Sequence, residues 1–215
     1  GFATTWGFPG FAGQVEPADD ELARRMRAAG AIFIGHSNMP EFGLGSHTFN
    51  ELYGNTFNPY DLSKTPGGSS GGAAVALAAD LLPLADGSDL GGSLRNPASF
   101  CNVVGFRPSM GRMPFNRGFG WFGRMVTTGP MAKNVRDAAL MFSIIAGPDE
   151  GDPLTLSEPG ITFLDALTPM DVQELNGLRV AFSTDLGSLA IDPEVALTVR
   201  DAANTMESLG AQVVE

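Results

Sequence analysis

A chain of 215 residues with 43% hydrophobic content can bury a sizeable core, and its composition is not that of a disordered or collagen-like polypeptide. A formal net charge of −11 argues against nonspecific nucleic-acid binding, where phosphate neutralisation needs clustered Lys and Arg. The single cysteine, Cys101, cannot form an internal disulfide and fits a reducing compartment such as the cytoplasm, and no apolar run reaches membrane-spanning length.

From the start, Gly1 to Gly13 is rich in glycine and aromatics without a clear period. Pro17 and Asp19 sit where helix starts favour them, and Leu22, Met26 and Ala29 form an apolar stripe ending at Gly30, which predicts a helix. Ala31 to Ile34 reads as a short strand, and helix followed closely by strand is an α/β signal. Gly35 to Pro66 is dense in Asn, Gly, Pro and Ser and reads mainly as loop. It holds His36 and His47, the only histidines; neither has a cluster of ligand-type residues around it, so no metal site is expected.

The stretch Thr65 to Ala98, TPGGSSGGAAVALAADLLPLADGSDLGGSLRNPA, organises the chain. Two serine-bearing glycine clusters, Gly67 to Gly72 and Gly87 to Ser93, bracket an apolar segment in which Gly72 to Asp80 favours helix and Leu81 to Ala85 favours a buried strand. Glycine permits close approach of backbone to another group, so paired clusters of this kind suggest loops shaped around a ligand. GGSSGG also satisfies the G-x-S-x-G pattern of α/β-hydrolases. Asn58 to Pro66 does not read as the strand that pattern requires, however, and both histidines precede the serine where that fold needs one after it. The S-x-x-K pattern of β-lactamases and the G-K-[ST] ending of a phosphate-binding loop are absent.

Further on, Phe119, Trp121 and Phe122 in the glycine-rich Phe115 to Trp121 region and its edge are either a packed aromatic loop or a wall of a substrate pocket, and both readings stay open. Ala132 to Ala146 predicts an amphipathic helix closed by Gly147 and Pro148. Gly147 to Asn176 reads as surface loop with a short helix, and Leu178 to Phe182 as a strand. A helix follows from Asp192-Pro193 to about Leu209, with Val195, Val199, Ala202, Met206 and Leu209 as its inner face, and Ala211 to Val214 is a closing strand.

GGSSGG, GSDLGGSLRNPA and GFRPSMGR (Gly105 to Arg112) resemble, in wording and spacing, the amidase signature family of serine amidases. The likeness extends upstream through AAGAIFIGHSNMPEFG (Ala28 to Gly43) and downstream through GPMAKNVRDAALMFSIIAG (Gly129 to Gly147). It implies an α/β fold, a mixed β-sheet flanked by helices on both faces, with residues 1–215 as one incomplete catalytic domain. It implies hydrolysis of a carboxylic amide to acid plus ammonia or amine through an acyl-enzyme on Ser93, with Ser69, preceded by a cis peptide bond in relatives, relaying protons. By the same match the backbone N–H groups of Leu90, Gly91, Gly92 and Ser93 form the oxyanion hole, Ser70, Asp89 and Arg95 hold the two serine loops, and Gly43 falls near a substrate-contacting loop, with Trp121 and Phe122 as further substrate-binding candidates. For Asp89 and Arg95 an ordinary buried ion pair is the competing reading.

No metal or organic cofactor is implied. The expected partner is a small-molecule amide, with no direct nucleic-acid or membrane contact, and a homo-oligomer is compatible. Two alternatives within the resemblance are the amidase subunit of a tRNA-dependent amidotransferase and a catalytically silent binding protein. Leu90 and Asn96 depart from the threonine and glutamine common in that subunit, which favours the stand-alone enzyme. The family's catalytic lysine belongs just upstream of the segment matching Gly1 to Gly7. Lys64 and Lys133, the two lysines present, match no such position, so the chain is expected to be the middle of a longer enzyme and inactive alone.

Overall fold

The computed structural model describes residues 1–115, 125–165 and 175–215, which fall into two compact units, 1–166 and 167–215. In the first, helix α1 (Glu21–Ala28) starts where the Asp20 carboxylate accepts the Ala23 N–H at 2.8 Å, satisfying an amide that has no partner inside the helix. A hairpin of β1 (Phe49–Asn50) and β2 (Gly54–Asn55), an isolated Asn58–Asp61 bridge and a helical turn at Glu41–Gly43 punctuate an otherwise irregular stretch from Gly35 to Pro66. Next come α2 (Gly71–Ala78), β3 (Leu84–Asp89), α3 (Arg95–Phe100), β4 (Val104–Gly105), β5 (Thr127–Ala132), α4 (Val135–Ile145) and the single turn α5 (Thr162–Asp165).

β3, β5 and β4 form an antiparallel sheet in that order. Successive side chains of a strand face opposite ways, and β3 uses this: Leu84 packs against a cluster of Leu22, Met26, Met113, Met141, Phe142 and Ile145, whereas Ala85 packs against Ala73, Ala74, Leu77, Leu94, Ala98 and Met131. Helices α1 and α4 therefore cover one face and α2 and α3 the other. Leu77, Leu94, Met131 and Ile145 are fully buried, each worth about 1.5–3 kcal/mol.

The strand β5 is absent from the sequence reading, which has its last residue, Ala132, opening a helix. Gly129 and Pro130 mask it. Pro130 carries no N–H, but its carbonyl accepts from Phe106 N–H at 3.1 Å. N–H and C=O of one strand residue point to the same side, so Pro130 faces away from β3 and the Asp86–Pro130 pair loses no β3–β5 hydrogen bond. α4 then begins three residues later, capped by the Asn134 side chain, which accepts Asp137 N–H at 2.9 Å.

Three other expectations need correction. β3 begins at Leu84 and not Leu81, because Asp80 and Leu81 still donate to the Leu77 and Ala76 carbonyls and finish the turn of α2. Ala31 to Ile34 forms no strand: Ala31 and Phe33 pack against the core while Ile32 (89% exposed) and Ile34 point outward, the alternation of a strand without a neighbouring strand among the described residues.

The third lies in the second unit, where β6 (Arg179–Ala181) and β7 (Gln212–Val214) pair in parallel through α6 (Pro193–Ser208). The expected inner face of α6 is the exposed one: Val195, Val199, Ala202, Met206 and Leu209 face outward, and Ala196, Arg200 and Ala203 face inward. The Arg200 guanidinium sits 4.5 Å over the Phe182 ring and donates to Glu215 at 2.6 Å, which turns that face toward the strands. Among the described residues no helix is long and apolar enough to cross a membrane.

Candidate active site

Both serine clusters sit at transitions between elements. Thr65 to Ser70 leads into α2, and Leu90 to Leu94 joins β3 to α3. The two loops are tied directly, since Ser70 N–H donates to the Ser93 carbonyl at 3.2 Å. The Ser70 hydroxyl accepts Ser88 N–H at 3.2 Å and donates to the Ser88 carbonyl at 3.4 Å, fastening the first loop to β3. Gly87 makes this approach available: a Cβ there would lie 2.6 Å from Ser70 Oγ and 2.7 Å from Leu94 Cδ2. From below, the Thr48 hydroxyl donates to the Gly67 carbonyl at 2.9 Å.

Ser69 is buried at 3% exposure and the Gly68–Ser69 peptide bond is cis. Ser93 is half-buried. Neither hydroxyl is hydrogen-bonded among the described residues. A Cβ at Gly43 would stand 3.7 Å from Ser69 Oγ, so the structure brings the Gly43 loop to the first serine. Glu41 and Leu44, on either side of Gly43, line a cleft of about 430 Å³ shared with Pro40, His47 and Phe49. Trp121 and Phe122, with Phe119, lie outside the described residues.

Asp89, with no exposed surface, organises the second turn. Its carboxylate accepts the backbone N–H of Gly92 at 2.9 Å, of Leu94 at 3.2 Å and of Arg95 at 3.4 Å. The Arg95 side chain grips it with Nε and Nη2, both at 3.0 Å. Burial alone would raise the Asp89 pKa, but the Arg95 guanidinium and the Gly92 and Leu94 amides outweigh burial and hold the carboxyl at about 2. The pair is thus an ion pair whose anion also ties three amides of the turn.

This bears on the oxyanion donors. Gly92 N–H points to Asp89, whereas the N–H groups of Leu90, Gly91 and Ser93 have no acceptor among the described residues. Three of the four expected amides therefore have no acceptor among the described residues, and the Gly92 N–H braces the turn through the Asp89 carboxylate.

The sequence reading missed Arg107. Its Nη1 donates to the Asp89 carbonyl at 2.7 Å and to Asp89 Oδ1 at 3.3 Å, and Nη2 donates to the Met125 carbonyl at 3.3 Å. The available signal was its place within GFRPSMGR. His36 Nδ1 lies 3.1 Å from the Ala3 carbonyl and His47 Nδ1 3.1 Å from Thr65 Oγ1, so the two rings serve different loops.

A family model described as Amidase matches residues 1–215. The chain belongs to the amidase family. It is 42% identical over 215 residues to an acylamidase from Rhodococcus erythropolis, covering all of this chain and 44% of that protein. Among solved structures, the matching component of the glutamyl-tRNA(Gln) amidotransferase of Thermotoga maritima superposes with a TM-score of 0.85 at 34% identity, over 99% of this chain and 46% of that one. The peptide amidase of Stenotrophomonas maltophilia gives 0.80 at 34% identity, over 99% and 44%. The chain spans less than half the length of these relatives. The geometry has a half-exposed serine beside unoccupied amides and a second, buried serine on an adjoining loop.

Proposed function

We propose that the protein carrying these residues is an amidase that cleaves a carboxylic amide through an acyl-enzyme on Ser93. Ser93 Oγ attacks the amide carbonyl carbon, and its proton passes through the Ser69 hydroxyl to a base outside these 215 residues. The carbonyl oxygen becomes negative in the tetrahedral intermediate and is met by the N–H groups of Leu90, Gly91 and Ser93. The C–N bond then breaks, the nitrogen takes the proton and leaves as ammonia or amine, and water hydrolyses the acyl ester to free the acid and Ser93. Ser70, Asp89 and Arg95 hold the loops, and Gly43 borders the substrate. Residues 1–215 would be part of one catalytic domain working in the cytoplasm, where the Cys101 thiol stays reduced.

The observation that carries this reading is the set of unoccupied amides flanking Ser93, a ready receptor for an oxyanion where the family places its nucleophile. A relay between Ser69 and Ser93 needs their hydroxyls to approach on substrate binding, as catalytic hydrogen bonds commonly do. The likeness to the Thermotoga maritima amidotransferase component supports a second reading, an amidase that works only with partner proteins. Leu90 and Asn96 favour the stand-alone enzyme.

The test treats the full-length protein with a fluorophosphonate and maps the adduct by mass spectrometry, beside an assay on aryl, aliphatic and amino-acid amides. Adduct on Ser93 and release of free acid are expected. Labelling of Ser69 or Ser70 would overturn the nucleophile assignment. Co-purification with a second protein required for turnover would favour the second reading.

A further inference from the structure

The Asp89–Leu90 peptide joins the last residue of β3 to the first of the amides that face no acceptor. It is a trans peptide, and in a planar trans peptide the C=O and the N–H point to opposite sides. Whatever pins the Asp89 carbonyl therefore aims the Leu90 N–H. Two groups hold it: the Thr127 N–H of β5, through the Asp89–Thr127 pair of the ladder, and Arg107, whose Nη1 donates to the carbonyl at 2.7 Å. The same nitrogen reaches Asp89 Oδ1 at 3.3 Å, and Nη2 anchors the guanidinium to the Met125 carbonyl at 3.3 Å. The guanidinium is planar and permanently charged, so a plane fixed at three acceptors leaves the peptide little freedom to rotate.

Arg95 has a different part. It approaches only the carboxylate of Asp89, and its side chain is largely exposed. The Arg107 side chain is more enclosed and is the one of the two that touches main-chain oxygen, at Asp89 and at Met125. We propose that Arg107 is a positioning residue for the reaction: by holding the Asp89 carbonyl it turns the Leu90 N–H toward the oxyanion of the tetrahedral intermediate. This rests on the proposed amidase reading and adds to it a residue that touches neither substrate nor nucleophile.

A donor aimed at charge that exists only in the transition state affects turnover and transition-state analogues, and leaves ground-state binding alone. The experiment compares wild-type full-length protein with Arg107→Met and Arg107→Lys, measuring kcat, KM, the affinity of a boronic acid matched to the acyl group, and that of the carboxylic acid product. Thermal unfolding is recorded alongside. For Arg107→Met, kcat should fall on the order of 100-fold. Boronate affinity should weaken in parallel, with KM and product affinity unchanged. A lysine can reach one acceptor but cannot fork to three, so Arg107→Lys should show the same pattern to a smaller extent. That variant decides the matter should the methionine protein not fold.

Unchanged kcat and boronate affinity in a folded variant would overturn the role of Arg107 and leave the amidase reading standing. Equal losses in boronate and product affinity would overturn it too, since they mark a general disturbance of the pocket. A wild-type protein that neither labels on Ser93 nor hydrolyses any amide would remove the amidase reading itself, and the role of Arg107 with it.

Discussion

Ser70 donates its backbone N–H to the carbonyl of Ser93 at 3.2 Å, which makes the two serine loops one unit although 23 residues separate them in the chain. The spacing between loops depends on Gly87. An added methyl there would press on Ser70 Oγ at 2.6 Å and Leu94 Cδ2 at 2.7 Å, with the Ser70–Ser88 hydrogen bonds in the way of any retreat. Gly87→Ala should therefore cut amide hydrolysis by the full-length protein on the order of 100-fold, as a displacement near 1 Å at reacting groups does. Circular dichroism should show the fold retained. Wild-type turnover in this variant would mean that the loop spacing is unimportant.

A pH dependence of stability follows from two carboxylates. Glu21 is buried and held at about 2, against an ordinary 4.5, chiefly by its hydrogen bond to Arg24, with burial opposing and Arg25 adding to the depression. Asp89 is also at about 2, against 3.8. For a depressed carboxyl the unfolded chain binds the proton first as pH falls, so the stabilisation is present above the ordinary pKa and is lost on the way down through the folded one. Each contributes about 2–3 kcal/mol at neutral pH. Urea unfolding followed from pH 6 to pH 2.5 should show stability declining mainly below about 4.5, and Glu21→Gln should flatten that decline. An identical slope in wild type and Glu21→Gln would exclude Glu21 as a source.

What could be read from the residues divides along the range of the interactions. The loops at Ser69 and Ser93 and the helices α1, α2, α4 and α6 were legible because glycine clusters, caps and apolar spacing are local signals. β5 was not, because Gly129 and Pro130 argue against a strand until the partner on the far side is known. The orientation of α6 was misjudged for a similar reason: its apolar stripe is real, but Arg200 binds Phe182 and Glu215, contacts that a helical wheel does not contain. Thr48 and Arg107 act on backbone 19 and 18 residues away, on Gly67 and Asp89, and a lone threonine or arginine carries no mark of such a partner.

Arg25 closes the C-terminal end of α4. Its Nη1 donates to the Ile145 carbonyl at 2.9 Å and the Gly147 carbonyl at 3.1 Å, Nη2 donates to the Pro148 carbonyl at 2.9 Å, and Nε reaches Glu21 at 2.5 Å. The last carbonyls of a helix have no partner within it, so a cation there satisfies them and complements the helix dipole. Arg25→Met keeps the aliphatic stem but strips the carbonyls and leaves Glu21 with Arg24 alone. A loss of about 2–4 kcal/mol in unfolding free energy is expected. A change below about 0.5 kcal/mol, the range of ordinary surface substitutions, would show that solvent replaces the guanidinium without cost.

As the proposed nucleophile, Ser93 needs a proton acceptor, and neither lysine of this chain is placed to serve. A serine at its ordinary pKa is a poor nucleophile, and a lysine can take its proton only when held within reach and tuned by its surroundings. The Lys133 ammonium pairs with Asp80, just beyond the C-terminal end of α2, while Ser69 lies ahead of the N-terminal end. At 1.5 Å per residue the eight residues of α2 separate them by about 12 Å. Lys64 is exposed, in a turn where its N–H donates to the Asp61 carbonyl and its own carbonyl accepts from Asn58. Lys64→Ala and Lys133→Ala in the full-length protein should therefore leave kcat/KM for an amide substrate, and its pH profile, unchanged, in contrast to Ser69→Ala, which should abolish turnover while the fold persists. Loss of hydrolysis in either lysine variant, with the acidic limb of the pH profile displaced, would show that the base lies inside these 215 residues and that the relay runs through a lysine the structure places elsewhere.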